Sequence, residues 1–128
     1  MSNFDMEKKI NITLPYNTDI RINAKTINRR FTKNPKYTAY QELVEWEIIK
    51  QGNFLGFEPK QKVYIGCMIY RPDFKCDVSD AFTKGIFDAI SKTIMVDDRY
   101  FAIKYWDWKL CKERPRLEIE IFQDLTTN

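Results

Sequence analysis

The chain has no histidine among its 128 residues. That absence removes Ser-His-Asp and Cys-His catalysis as usually built, imidazole general bases and histidine-ligated zinc. Any chemistry must rest on Asp, Glu, Lys, Tyr or Ser, or on a metal held by oxygen. Glycine is scarce. The four glycines, at 52, 56, 66 and 85, are too scattered for a phosphate-cradling loop, which argues against P-loop and Rossmann nucleotide sites. Cys67, Cys76 and Cys111 are odd in number and form no Cys-x-x-Cys, so they read as free thiols rather than a disulfide framework or zinc knuckle. No apolar run approaches the roughly 18 residues that a membrane span needs. The opening MSNFDMEKKINITL lacks the apolar core of a signal peptide. The expectation is a cytoplasmic protein with no membrane association.

What is present suits one folded domain. Apolar residues make up 44% and aromatics 15%, enough for a modest core over residues 1–128, with its body at about 10–123. The net charge of +3 is unevenly spread. Between Arg21 and Lys36 lie six basic residues and no acid, Arg29 and Arg30 among them. A second group, Lys104, Lys109, Lys112, Arg114 and Arg116, follows late in the chain. Each group alone reads as a solvated face. Beside a cluster of acids, they point to a polyanion held by one surface and attacked by another.

Periodicity gives the elements. INITL alternates as a strand and ends at Pro15. Residues 16–36 read as an irregular basic loop. Residues 37–50 read as a helix, with Tyr40, Leu43, Val44 and Ile48 on one face. Residues 62–70 form a strand with Val63, Ile65, Cys67 and Ile69 on one side. A second helix spans 79–92. Strands over 100–109 and 116–122 are expected to pair as a hairpin. The order β-α-β-α-β-β predicts an α+β domain, with both helices on one face of a mixed sheet.

The segment CDVSDAFTKGIFDAISKTIMVDDRY, from Cys76 to Tyr100, holds five aspartates. On a helix, Asp80, Lys84, Asp88 and Ser91 fall within roughly 80° of one another. A plain reading makes Asp80 and Asp88 surface partners of Lys84, Asp77 a cap, and Asp97-Asp98 a turn. A functional reading brings Asp77 and Asp80, at a helix start, together with Asp97 and Asp98, at a strand entrance. Clustered carboxylates call for a cation, and oxygen ligands suit Mg²⁺ or Mn²⁺. Lys84 would then face a phosphate.

DVSDAFTKGIFDAI…MVDDRY resembles the signature of the RusA family of Holliday-junction resolvases, small endodeoxyribonucleases common in phages and prophages. The family pattern is Asp-x-Asp-Asn, a lysine four residues after the second acid, an Asp-Ala pair, and an Asp-Asp about ten residues on. Here Asp80 precedes Lys84 by four, Asp88-Ala89 follows, and then Asp97-Asp98. The early strand ending in proline, the basic stretch, the tyrosine-containing helix and the closing RLEIEIF also match. The resemblance implies a RusA-like fold and metal-dependent paired cleavage of four-way DNA junctions by a homodimer in the bacterial cytoplasm. By the same resemblance, Asp80 and Asp98 are metal ligands with Asp97 beside them, and Lys84 is the essential lysine. Arg29, Arg30, Lys109 and Arg116 would contact the DNA arms. Two positions depart from the pattern. Val78 stands where the first acid is expected, so Asp77 fills that role only through a one-residue shift, and Ala81 replaces the asparagine. The alternative reading is a catalytically impaired relative that binds branched DNA or a protein partner.

Overall fold

The computed structural model describes residues 7–17, 35–51, 54–75 and 80–125, and for 80–83 the backbone alone. The elements run β1 (Glu7–Pro15), α1 (Pro35–Lys50), β2 (Val63–Arg71), α2 (Asp80–Ile94), a 3-10 turn (Asp98–Tyr100), β3 (Phe101–Leu110) and β4 (Arg116–Asp124). Pro35 opens α1, where its missing N–H costs nothing.

The four strands form one mixed sheet in the order β1-β4-β2-β3. β4 pairs antiparallel with both β1 and β2, and β2 pairs parallel with β3. The α+β architecture is as the sequence predicts, but the hairpin is not. β3 and β4 are neighbours in sequence, yet β2 lies between them. The reason lies in β2. Val63, Ile65, Cys67 and Ile69 are all fully buried, so this strand belongs in the middle with both edges paired. The β2-α2-β3 crossover then delivers β3 parallel to β2 on one side. The alternating β4 fills the other.

Period-2 alternation turns Ile10, Ile12 and Leu14 to the same side as Leu117, Ile119 and Ile121, which they face in register. That side is covered by Tyr40, Val44 and Ile48 of α1 and by Ile86, Ala89, Ile90 and Ile94 of α2. Cys67 lies in this core, where burial pushes its thiol up to about 12, so it is chemically inert. The opposite face of the sheet is covered by no described helix and carries ion pairs, including Lys9 Nζ to Glu120 at 3.0 Å and Lys104 Nζ to Glu120 at 3.3 Å.

Two local features shape β3. The pairing with β2 slips at Ile65/Gly66, so Ile103 faces Ile65 and Tyr105 faces Gly66, with Lys104 as the extra residue of a bulge. Tyr105 lies flat across Gly66, since a Cβ there would sit 2.3 Å from its ring. Beyond the bulge, Trp106 and Trp108 pair with Cys67 and Ile69, which puts both on the helix-bearing side.

Candidate active site

The inward stripe of α2 (Ile86, Ala89, Ile90, Ile94) fixes the helix against the sheet, and Lys84 and Asp88 therefore face outward. What meets them is set by the way α2 ends. Met95 adopts a left-handed backbone, φ 63°, and its N–H donates to Ser91 O at 3.0 Å. The Ser91 hydroxyl donates to Val96 O at 2.7 Å, and Val96 is buried. The chain thus doubles back along the helix instead of leaving it.

Asp97 comes next and caps the 3-10 turn. Its Oδ1 accepts from Arg99 N at 2.9 Å, and its Oδ2 accepts from Arg99 Nη2 at 3.2 Å. The backbone N–H, then the guanidinium, hold this carboxyl below the usual range. With Asp97 anchored, Asp98 is delivered to α2. Its Oδ2 lies 3.8 Å from Lys84 Nζ, while Asp88 Oδ1 lies 2.9 Å from the same nitrogen. The hydrogen bond from Lys84 to Asp88, with the charges of Asp88 and Asp98, raises the Lys84 pKa and keeps it a cation at neutral pH.

A floor of α1 residues lies beneath. Tyr37 is buried, and its pKa is raised by burial first and then by the charge of Asp88. Gln41 Nε2 donates to Gly85 O at 3.1 Å and lies 3.5 Å from the Tyr37 hydroxyl. Sequence reasoning did not assign Asp88 or Tyr37 to the site. The signals existed: Asp88 stands four after Lys84, and Tyr37 extends the inward stripe of Tyr40, Val44 and Ile48.

The structure therefore brings Lys84 and Asp98 together, with Asp97 adjacent but turned to Arg99. Asp80 opens α2 one turn before Lys84, and its backbone alone is described. Asp77, Arg29 and Arg30 lie outside the described residues. Among the described residues, no three His, Cys, Asp or Glu side chains gather as a metal site. Those around Lys84 are carboxylates, oxygen donors that fit a hard divalent cation. The two described basic candidates sit elsewhere. Arg116 is on the open face, 3.7 Å over the Tyr70 ring, with Nε 3.0 Å from Glu118. Lys109 is exposed on β3.

The strained turn gives a prediction. Met95 is 71% exposed, so its side chain contributes little packing, while its left-handed backbone disfavours any side chain. Met95→Gly should stabilise the fold by about 0.5–1 kcal/mol, or about 2–4 °C in Tm. A calorimetric scan showing a lowered Tm would contradict this account of the turn.

Compared with known families, the chain matches the model described as Endodeoxyribonuclease RusA over residues 15–122. No curated protein matches it. The matched segment holds Lys84, Asp97, Asp98, both helices, β2, β3 and most of β4, and the chain belongs to the RusA family.

Proposed function

From membership of the RusA endodeoxyribonuclease family, we propose that this protein is a divalent-metal-dependent nuclease that resolves four-way DNA junctions by paired cuts from two subunits. The observation that carries the proposal is the meeting of Lys84 and Asp98, fourteen positions apart in sequence, through the reversal at Met95.

Asp80 and Asp98 would hold Mg²⁺ or Mn²⁺, with Asp77 as a third ligand and Asp97 beside them. A bound ion of this kind activates water and stabilises the leaving oxygen of a phosphodiester. The remaining work falls to the chain itself. Asp98 is presented by a turn that Asp97 caps, so its carboxylate is fixed before DNA arrives. Lys84 offers a permanent positive charge to a phosphate oxygen. Asp88 holds the ammonium in place by its bond at 2.9 Å. The DNA arms would be bound by the basic stretch that includes Arg29 and Arg30, and by Lys112, Arg114 and Arg116 around the β3–β4 connection. Lys109, exposed on β3, would instead meet a second copy of the chain. Junctions are recognised largely through shape and phosphates, so binding should weaken steeply with salt.

The test is cleavage of an end-labelled synthetic four-way junction in Mg²⁺ and Mn²⁺, with binding followed in Ca²⁺. Symmetric paired nicks that vanish with chelator are the expected result. Tight binding without nicks in either metal would favour the impaired relative, the reading that Val78 and Ala81 motivate. No binding would refute both.

A further inference from the structure

β3 is one of the two edges that the described residues leave unpaired, and it is unlike the other edge, β1. β1 carries Glu7, Lys8 and Lys9 and ends in Pro15, features that discourage strand addition. β3 is ten residues long and exposes Ile103 at 53%, Trp108 at 44% and Leu110 at 48%. Apolar side chains on an open edge are a template for another strand. Phe74, 62% exposed, packs edge-on against Trp108 at 5.5 Å and widens the apolar patch.

The backbone of this edge can be read residue by residue. Cys111 N donates to Arg71 O at 2.8 Å, so residue 111, and by alternation 109, point toward β2. Trp106, Trp108 and Leu110 then point their N–H and C=O groups outward. Trp108 N agrees: it donates to the side chain of its neighbour Asp107 at 2.8 Å rather than to β2.

We propose that a second copy of this chain pairs here, β3 against β3 in antiparallel fashion, with Trp108 on the two-fold axis. Symmetry restricts the choice of register. A two-fold axis normal to the sheet keeps every side chain on its own face, so the axis must pass midway between a residue and its own counterpart. With the axis at Asp107 or Lys109, like charges face each other across it. With the axis at Trp108, Asp107 of each copy faces Lys109 of the other on the open face, giving two opposite-charge cross-strand pairs. On the helix-bearing face, Trp108 meets Trp108 and Trp106 meets Leu110 of the second copy. Trp108 then exchanges N–H and C=O bonds with its counterpart. Asp107, which satisfies that N–H in the single chain, is released to pair with Lys109. The result is a continuous eight-stranded sheet. This locates the partner in the two-subunit reading above and rests on that reading for the partner's identity.

Sedimentation of the full chain over a concentration range, without DNA, tests the proposal. Wild type should be a dimer. Asp107→Lys places lysines opposite each other twice and should raise the dimer dissociation constant roughly 10- to 100-fold. Asp107→Lys/Lys109→Asp reverses both charges, restores both pairs, and should recover the wild-type constant. Asp107 and Lys109 are exposed, so circular dichroism should show all three proteins folded alike. A monomeric wild type, an unaffected Asp107→Lys dimer, or a double variant that stays weak would each overturn the register. Junction cleavage measured on the same samples separates the two ideas: a dimer that follows this charge pattern but cuts no junction would sink the nuclease reading and leave the interface standing.

Discussion

Asp98→Asn should abolish junction cleavage while leaving junction binding in Ca²⁺ near the wild-type level. The change preserves shape and removes one carboxylate charge. A metal ion contributes several kcal/mol to the transition state of phosphodiester cleavage, and each 1.36 kcal/mol is tenfold in rate, so the loss should be about 10³-fold or more. Stability should barely change, because the carboxylate is 38% exposed and its contact with Lys84 is a loose 3.8 Å. Asp97→Asn is the informative companion. It weakens the cap on the 3-10 turn without removing the carboxylate that faces Lys84, so its loss of rate should be much smaller. Single-turnover cleavage rates for the two variants decide the matter. Equal losses would mean that the two acids act as a pair and that Arg99 does not hold Asp97 out of the site. An Asp98→Asn enzyme within tenfold of wild type would remove this residue from the reaction.

The largest effect on stability should come from Gln123→Leu. Gln123 is fully buried at the end of β4. Its Oε1 accepts from Glu58 N at 2.7 Å, and its Nε2 donates to Glu58 O at 2.9 Å and to Gln61 O at 3.3 Å. One side chain thus clamps the segment between α1 and β2 to the sheet. Leucine keeps the volume but removes the partner of one N–H and of two carbonyls, at about 1–3 kcal/mol for each group left unsatisfied. The expected cost is about 3–5 kcal/mol, a large share of the 5–15 kcal/mol typical of a domain. Chemical denaturation would measure it, and limited proteolysis should show cleavage near Glu58 appearing before global unfolding. A loss below 1 kcal/mol would mean that water replaces the clamp without difficulty.

Gln123 also shows where sequence reasoning stopped. Leu117, Ile119 and Ile121 set an inward parity that Gln123 continues, one residue beyond the strand expected over 116–122. Its partners, more than sixty residues earlier, could be seen only in the folded chain. The same division holds for the site. The pairing of Lys84 with Asp88 was legible because a helix repeats every 3.6 residues. The different duties of Asp97 and Asp98 were not, because they depend on a left-handed turn at a methionine that carries no glycine signal. The expected β3–β4 hairpin rested on closeness in sequence. It lost to the need to bury β2 between two partners, a requirement that no local pattern expresses.

The insertion of β4 between β1 and β2 has a consequence for the chain while it is being made. β1 and β2 never bond to each other, so β1 has no strand to pair with, and β2 has only β3, until residues 116–124 exist. A ribosome that has translated as far as the β3–β4 connection has produced a β2-α2-β3 unit and, apart from it, a first strand with nothing to join. Folding of the whole therefore waits for the strand synthesised latest of the four, and closes the longest loops in one step. A message cut short, or a stop codon just before Arg116, would yield fragments with β1 unpaired and one edge of β2 open, natural prey for chaperones and proteases. No partly made nuclease would be at large to nick the genome around it.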